Sequence, residues 1–139
     1  MVKVPEEIKT IFAKQSLPNY TALPMATTNK EGTPNVIYVL AWWWLDDETL
    51  CVIDNFMNKT RKNLEENPKA SFVCWDLESG KSWQIKCSAK ILTEGSLYEE
   101  GYKRAKAMNP DFPSKAVVIC KVQEIYQGLY GPGAGDKLY

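Results

Sequence analysis

One stretch decides the fold: residues 52–75 read VIDNFMNKTRKNLEENPKASFVCW. Its β-branched, apolar start completes a predicted strand at residues 50–54. The middle predicts a short helix at residues 58–66, which the Asn-Pro pair at 67–68 ends because a residue before proline disfavours helical geometry. Residues 70–75 predict the next strand. The stretch therefore places a helix start, with its unpaired backbone N–H groups, between two strands.

Two further helices and four further strands are predicted outside this stretch. One helix covers residues 5–15, where apolar side chains repeat at helical spacing. The other covers residues 96–108 and opens with Ser96 and Glu99, which form an S-x-x-E capping box. Strands are predicted at residues 23–28, 35–44, 82–92 and 115–126. The Gly-rich tail, residues 128–139, is predicted to have no regular structure.

The strands predict a barrel. Tight turns between consecutive strands favour an antiparallel sheet. Residues 82–92 alternate between apolar and polar side chains, whereas residues 35–44 are apolar on both faces. Six strands around one core favour a closed barrel, because closure removes unpaired strand edges. A length of 139 residues suits one domain, residues 1–139. The predicted fold class is therefore mainly β with peripheral helices.

Charge and composition exclude several classes of protein. Lys plus Arg number 17 and Asp plus Glu number 17, so no global basic field would attract nucleic acid. Histidine is absent, which excludes Ser-His-Asp and Cys-His catalysis and histidine-ligated metals. No apolar run approaches the ~20 residues of a membrane span, and the start lacks the apolar stretch of a signal peptide. We therefore expect a cytoplasmic protein that does not enter a membrane.

The cysteines are expected to be structural. Cys51, Cys74, Cys87 and Cys120 each lie inside an apolar, strand-like segment. No two of them have the close spacing of paired zinc ligands. We interpret them as buried hydrophobic side chains of a protein that works in a reducing compartment.

The start of the helix at residues 58–66 carries an unusual charge pattern. Lys59, Arg61 and Lys62 crowd its first turn, where acidic residues are normally favoured by the helix dipole. The hydroxyl of Thr60 and the amide of Asn58 add neutral donors. This arrangement is typical of a phosphate or carboxylate site. The alternative is a solvated helix face on which the two following glutamates pair with the cations.

Three consecutive tryptophans, Trp42, Trp43 and Trp44, lie in the strand predicted at residues 35–44. Successive side chains of a strand point to opposite faces, and one barrel interior cannot easily hold all three rings. We therefore expect at least one ring to face outwards, against a subunit partner or a planar ligand. The alternative is a crowded core with one exposed ring.

The stretch at residues 52–75, followed by KSWQIKCSAKIL at residues 81–92, resembles the FMN-binding split barrels of the pyridoxamine 5'-phosphate oxidase type. The resemblance is good over residues 23–92 and weak in the C-terminal strand. Within this family, the chain resembles the small FMN-binding proteins of anaerobes. The resemblance implies a six-stranded antiparallel split β-barrel with FMN as cofactor, and a homodimer that holds the flavin at its interface.

The resemblance also implies which residues contact the flavin. In the family, a Lys-Thr pair at the helix start grips the flavin phosphate, which corresponds to Lys59 and Thr60, with Asn58 beside them. A glutamine that reaches the flavin from the partner subunit corresponds to Gln84, with Trp83 beside it. Contacts of the two preceding strands with the ring or ribityl chain correspond to Ile37, Tyr38, Val39, Leu40, Ile53 and Asp54.

The function implied by the resemblance is that of an FMN-binding flavoprotein, either a flavin-dependent oxidoreductase or an electron-transfer protein. The resemblance does not extend to the pyridoxal phosphate site of the oxidase, which uses Arg and His residues near the C-terminus. This chain has no histidine, and its predicted last strand has no arginine. No residue is identified as catalytic, and the electron donor or acceptor is left open.

Three alternatives stay open. One is an OB-like barrel that binds single-stranded nucleic acid through exposed Trp and Tyr rings and the cations at residues 59–62, although zero net charge disfavours it. Another is a protein that binds flavin without turnover. The third concerns the cofactor, because related barrels bind a deazaflavin.

Overall fold

The computed structural model describes residues 2–20, 22–128 and 131–139. Within them lie three helices and seven strands. The helices are α1 (Glu6–Lys14), α2 (Lys59–Glu66) and α3 (Ser96–Met108). The strands are β1 (Leu23–Thr28), β2 (Pro34–Val39), β3 (Trp42–Asp46), β4 (Thr49–Asp54), β5 (Lys69–Trp75), β6 (Ser82–Leu92) and β7 (Ala116–Gln127). The mainly β fold class with peripheral helices is confirmed.

All seven strands form one antiparallel sheet in the order β2-β1-β5-β6-β7-β4-β3. The two edge strands of this order, β2 and β3, are consecutive in the chain and are joined only by Leu40 and Ala41. The sheet must therefore curl until its edges approach each other at that link. The result is a split barrel, as the resemblance implied.

The number of strands differs from the expectation of six. The segment expected as one strand at residues 35–44 is interrupted at Leu40 and Ala41 and forms two strands, β2 and β3. The carbonyl of Ala41 accepts a hydrogen bond from the N–H of Ile53 at 3.0 Å, which turns the chain towards β4. The run of apolar residues conceals this corner, because it includes the outer face of β2, where Val36 and Tyr38 are apolar although they are exposed.

The three tryptophans fill two different cores. Trp42 and Trp44 are half-buried against the main core inside the barrel, and Trp44 packs edge-on against Phe12 of α1 with centroids 6.0 Å apart. Trp43 is buried in a second core under α3, with the guanidinium of Arg104 4.7 Å from its ring centroid. One ring, that of Trp43, therefore points to the outer face of the sheet as expected, but α3 covers it there in place of a subunit partner or a planar ligand.

The start of α3 also differs from the expectation. Gly95 occupies the position before the first helical residue with φ 95°, and its carbonyl accepts the N–H of Glu99 at 3.0 Å. No side chain caps this helix, so the predicted capping box of Ser96 and Glu99 does not form. Glycine reaches this left-handed conformation without steric cost, which lets the chain enter the helix directly from the turn.

All four cysteines are free and buried. Burial raises the pKa of Cys51 and of Cys74 to about 12, so both thiols stay protonated and unreactive. Among the described residues there is no cluster of three or more His, Cys, Asp or Glu side chains that could hold a metal ion. No helix within the described ranges is long and apolar enough to cross a membrane.

The tail folds back on the end of β7. Tyr126 forms an isolated antiparallel bridge with Lys137, and the N–H of Leu138 donates to the carbonyl of Ile125 at 2.8 Å. Turns occupy residues 132–135. The expectation of a tail without regular structure therefore holds except for this bridge, and residues 129 and 130 lie outside the described part of the chain.

Candidate functional site

A cleft of about 200 Å³ opens beside β2. Its lining brings together five residues that the sequence singled out, from β2, from the link after it and from β4: Ile37, Tyr38, Val39, Leu40 and Ile53. Ile37 and Val39 face the barrel core, whereas Tyr38 is 62 % exposed. The cleft is therefore largely apolar, with one phenol ring at its outer edge.

The start of α2 lies close to this cleft in sequence and space. Asn58 is the residue before the helix, but no side chain caps the first turn and no acidic residue lies in it. The first N–H groups of a helix have no partner within the helix. Lys59 is exposed here, whereas Thr60 is buried and its hydroxyl accepts a hydrogen bond from Nδ2 of Asn35 at 3.1 Å. The helix start thus keeps its positive potential free for an anion.

The three cations of this turn have different environments. Nη1 of Arg61 lies 2.8 Å from Oδ2 of Asp54, and its Nε lies 3.7 Å from Glu65. The longer contact with Glu65 is the helix pair that the solvated-face alternative proposed, whereas the shorter ion pair with Asp54 was not predicted. Lys59 and Lys62 form no salt bridge with any residue in the described ranges. These two lysines carry the cationic character of the helix start.

A groove of about 570 Å³ runs from this helix start to the turn between β1 and β2. Its lining includes three lysines, two glutamates and one asparagine: Lys30, Lys59, Lys62, Glu31, Glu66 and Asn35. Asn35 and Ile37 are two positions apart on the same face of β2, about 7 Å at the usual rise of a strand. The groove and the cleft share no lining residue, but they lie next to each other along the same face of β2.

Asp54 is fully buried, and its carboxylate is already engaged within the protein. Oδ1 accepts the N–H of Met57 at 2.9 Å and lies 3.6 Å from Nζ of Lys115, while Oδ2 accepts from Arg61. These contacts hold the loop at residues 55–57 between β4 and α2. The side chain of Asp54 therefore acts on the cleft indirectly, by holding the loop that lines it.

Three residues that hold this loop or lie on it were not predicted from the sequence: Asn55, Lys115 and Phe56. Oδ1 of Asn55 accepts the N–H of Ser114 at 3.0 Å, and Nζ of Lys115 donates to the carbonyl of Met57 at 3.0 Å. The third, Phe56, lines the cleft. An aromatic residue in the turn DNFMN, between polar Asn55 and the helix start, was the signal that could have found Phe56.

Trp83 and Gln84 lie elsewhere on the chain. Trp83 is buried and lines a cavity of about 360 Å³ with the turn between β5 and β6. Gln84 is half-buried in another cavity, of about 340 Å³, with Val73, Tyr126 and the tail. Neither cavity shares a lining residue with the groove or the cleft. Within one chain, Trp83 and Gln84 therefore lie apart from the other residues that were predicted to contact the ligand.

Gln84 and Tyr38 nevertheless share the outer face of the sheet. Tyr38 pairs with Pro24, the register of β1 with β5 puts Pro24 opposite Val73, and Val73 pairs with Gln84. Directly opposed residues point to the same side of a sheet. Three strand spacings put the two side chains about 14 Å apart along one row. This row also carries exposed apolar surface at Tyr38 and Val73.

Comparison with known proteins agrees with this fold. A family model described as pyridoxamine 5'-phosphate oxidase matches residues 5–128. An uncharacterised protein of Methanocaldococcus jannaschii is 39 % identical over 116 residues, which are 80 % of this chain and 75 % of that protein.

Solved structures with the same fold differ in what their names say they bind. HupZ of Group A Streptococcus is 27 % identical with a TM-score of 0.75, over 95 % of this chain and 99 % of its own. An FMN-binding protein of Syntrophomonas wolfei is 20 % identical with a TM-score of 0.75, over 90 % and 89 %. HutZ, a heme storage protein of Vibrio cholerae, is 18 % identical with a TM-score of 0.60, over 92 % and 97 %.

Proposed function

The chain belongs to the pyridoxamine 5'-phosphate oxidase family of split barrels, and on that premise we propose that it is an FMN-binding flavoprotein that acts as a flavin-dependent oxidoreductase or electron-transfer protein. The observation that carries the proposal is that two surfaces lie side by side on one face of β2: an uncapped, cationic helix start and an apolar cleft, whose residue Ile37 is about 7 Å from Asn35 of the groove. Together they match a ligand with an anionic end and a planar apolar end.

The helix start fits the phosphate. Lys59 supplies a mobile ammonium group, and the first N–H groups of α2 supply directed donors that no side chain occupies. The hydroxyl of Thr60, oriented by Asn35, adds a further polar contact at the base of the turn. Asn58, at the position before the helix, is exposed and free to turn its amide towards the same anion.

The cleft fits the ring system. Ile37, Val39 and Ile53 provide an apolar floor, and the backbone of residues 37–40 runs along it on an edge strand. Edge strands present N–H and C=O groups that have no partner in the sheet, which suits the polar rim of a flavin. Bound FMN would supply the redox chemistry by accepting and returning electrons. The protein would bind the ring, orient it and exclude water from one side.

We also propose that the site is completed by a second copy of the chain. The cleft of about 200 Å³ is smaller than the roughly 300–1,000 Å³ usual for such ligands. The outer face of the sheet carries exposed Val36, Tyr38, Val73 and Trp75. An isologous pairing through this face would bring Gln84 of each copy towards the cleft of the other.

Two further expectations join this proposal. The four reduced, buried cysteines suit the reducing cytoplasm, where we place the protein. The absence of histidine from the chain removes the commonest side-chain ligand for heme iron, so FMN is favoured over heme. No observation favours the OB-like alternative, and the matching family is a different barrel.

The first experiment identifies the cofactor. The purified protein should be yellow and should release FMN, near one per chain, on denaturation. Mass spectrometry distinguishes FMN from FAD, a deazaflavin or heme, and any of these three in place of FMN would refute the cofactor assignment.

The second experiment locates the phosphate. Lys59→Ala should weaken FMN about 10- to 100-fold and leave riboflavin unchanged, because the lost contact is a charge-assisted bond to the phosphate alone. Lys103→Ala, at an exposed lysine of α3, is the matched control and should change neither affinity. Equal weakening of both ligands by Lys59→Ala would contradict the orientation proposed.

The third experiment tests the second copy. Sedimentation at decreasing protein concentration, with flavin fluorescence read in parallel, should show flavin release as protomers separate. Gln84→Ala should weaken flavin in the dimer without changing the dimerisation constant. A monomer that keeps its flavin fully bound would contradict the shared site.

A further inference from the structure

Phe56 is an exposed aromatic ring on a loop that is otherwise firmly held. Its side chain is 66 % exposed at the cleft beside β2, where Tyr38 lines the other part of the rim. Exposed phenylalanine normally costs hydrophobic free energy that burial would recover. A ring kept in water at the mouth of a cleft is therefore a candidate contact for a ligand.

The backbone on both sides of Phe56 is fixed by buried polar contacts. Asn55 accepts the N–H of Ser114 at 3.0 Å, and Met57 is held at both its N–H and its carbonyl, by Asp54 at 2.9 Å and by Lys115 at 3.0 Å. The loop therefore cannot collapse to bury the ring. Its position is set before any ligand binds, which lowers the entropy lost on binding.

The ring itself has one supporting neighbour. Phe112, in the segment after α3, meets Phe56 edge-on, with centroids 6.1 Å apart and an interplanar angle of 82°. This T-shaped contact fixes the orientation of the Phe56 ring. The rest of the ring surface stays available to a planar molecule in the cleft.

We propose that Phe56 packs against the ring system of the flavin and determines affinity for the ring independently of the phosphate. The assignment rests on the proposed function. The flavin is the favoured occupant because Phe56 lines the same cleft as Ile37 and Ile53 and precedes Lys59, at the helix start, by three positions. Phe56 thus serves the apolar end of a ligand whose anionic end lies at the start of α2.

The test compares FMN and riboflavin, titrated separately by flavin fluorescence. Phe56→Ala should weaken both flavins by the same factor, about 5- to 100-fold, the range found when an aromatic side chain that stacks on a planar base is truncated. Phe56→Tyr should keep both affinities within about threefold of the wild type, because the ring remains. Leu77→Ala, at another exposed apolar residue, is the control and should change neither.

Equal weakening of both flavins would distinguish Phe56→Ala from Lys59→Ala, which should weaken FMN alone. Unchanged affinity for both flavins in Phe56→Ala, or weakening of FMN alone, would overturn the assignment while leaving the proposed function intact. Loss of the dimer in Phe56→Ala, with flavin affinity restored at high protein concentration, would assign the ring to the contact between copies and would also overturn it. If the wild type binds neither flavin, the proposed function fails and the assignment falls with it.

Discussion

Removing the guanidinium of Arg61 should destabilise the protein more than removing the charge of its partner, Asp54. The carboxylate of Asp54 is fully buried, whereas the side chain of Arg61 is 26 % exposed. Arg61→Met leaves a buried charge whose nearest remaining cation, Nζ of Lys115, is 3.6 Å away. Asp54→Asn instead leaves a cation that can reach water and Glu65. The two substitutions therefore differ although they break the same ion pair.

The size of the effect follows from the burial of the carboxylate. Breaking a buried pair and leaving one charge without a partner costs about 3–5 kcal/mol, which is an upper bound here because Nζ of Lys115 stays 3.6 Å from the carboxylate. A chain of this length unfolds with an entropy of about 0.3 kcal/mol/K, so Arg61→Met should melt at most about 10–17 °C below the wild type. The double variant with Asp54→Asn removes the stranded charge and should recover at least about 1 kcal/mol.

The assay is thermal unfolding by calorimetry, repeated in urea to obtain the free energy of unfolding. Glu7→Gln is the control, because its partner Lys81 and Glu7 itself are both 57 % exposed and such a pair contributes at most about 1 kcal/mol. A melting temperature of Arg61→Met within about 3 °C of the wild type would refute the reasoning. A double variant no more stable than Arg61→Met would do the same.

Three further predictions concern other parts of the chain. A Cβ at Gly101 would lie 2.3 Å from Cγ2 of Val117, so Gly101→Ala should cost about 1–3 kcal/mol despite alanine's better helix propensity, and a melting temperature at or above the wild type would contradict this. The hydroxyl of Ser79 is the main cause that lowers the pKa of Asp76 to about 2. The stability due to this lowered pKa is fully present above about pH 4 and lost as the pH falls towards 2, so Asp76→Asn should flatten the pH dependence of urea unfolding there; an unchanged curve would count against it. Burial raises the pKa of Cys74 to about 12, so peptide mass spectrometry should find it alkylated only after unfolding, and labelling of the native protein would disprove the assignment.

Regular spacing of apolar residues and turn residues within a single segment were sufficient to predict much of the fold. The strict alternation at residues 82–92 and the turn chemistry on either side of residues 58–66 correspond to β6 and α2 within a residue. In both segments the local preference and the tertiary packing agree. The cationic helix start could be predicted for the same reason, because its charges contradict the helix dipole and only an external anion or an internal carboxylate can offset them.

The rest depends on contacts distant in sequence. The corner at Leu40 and Ala41 exists because β4 captures the carbonyl of Ala41, which no local pattern indicates. The sequence shows Arg61 among three equal cations, and only the fold reveals that Asp54 takes it. The role of Phe56 likewise depends on Phe112, more than fifty positions later in the chain. Neither the periodicity of apolar residues nor the spacing of motifs indicates partners so far apart in the sequence.

The position of β7 in the sheet has a consequence for synthesis of the chain. This strand, the last of the seven, lies between β6 and β4, both of which precede it. During translation the N-terminal hairpin of β1 and β2 and that of β3 and β4 can form early, because each pairs neighbours in sequence. Until residues 116–127 leave the ribosome, however, β4 and β6 both present open strand edges to the solvent. The nascent chain is thus most prone to aggregate just before its final strand arrives.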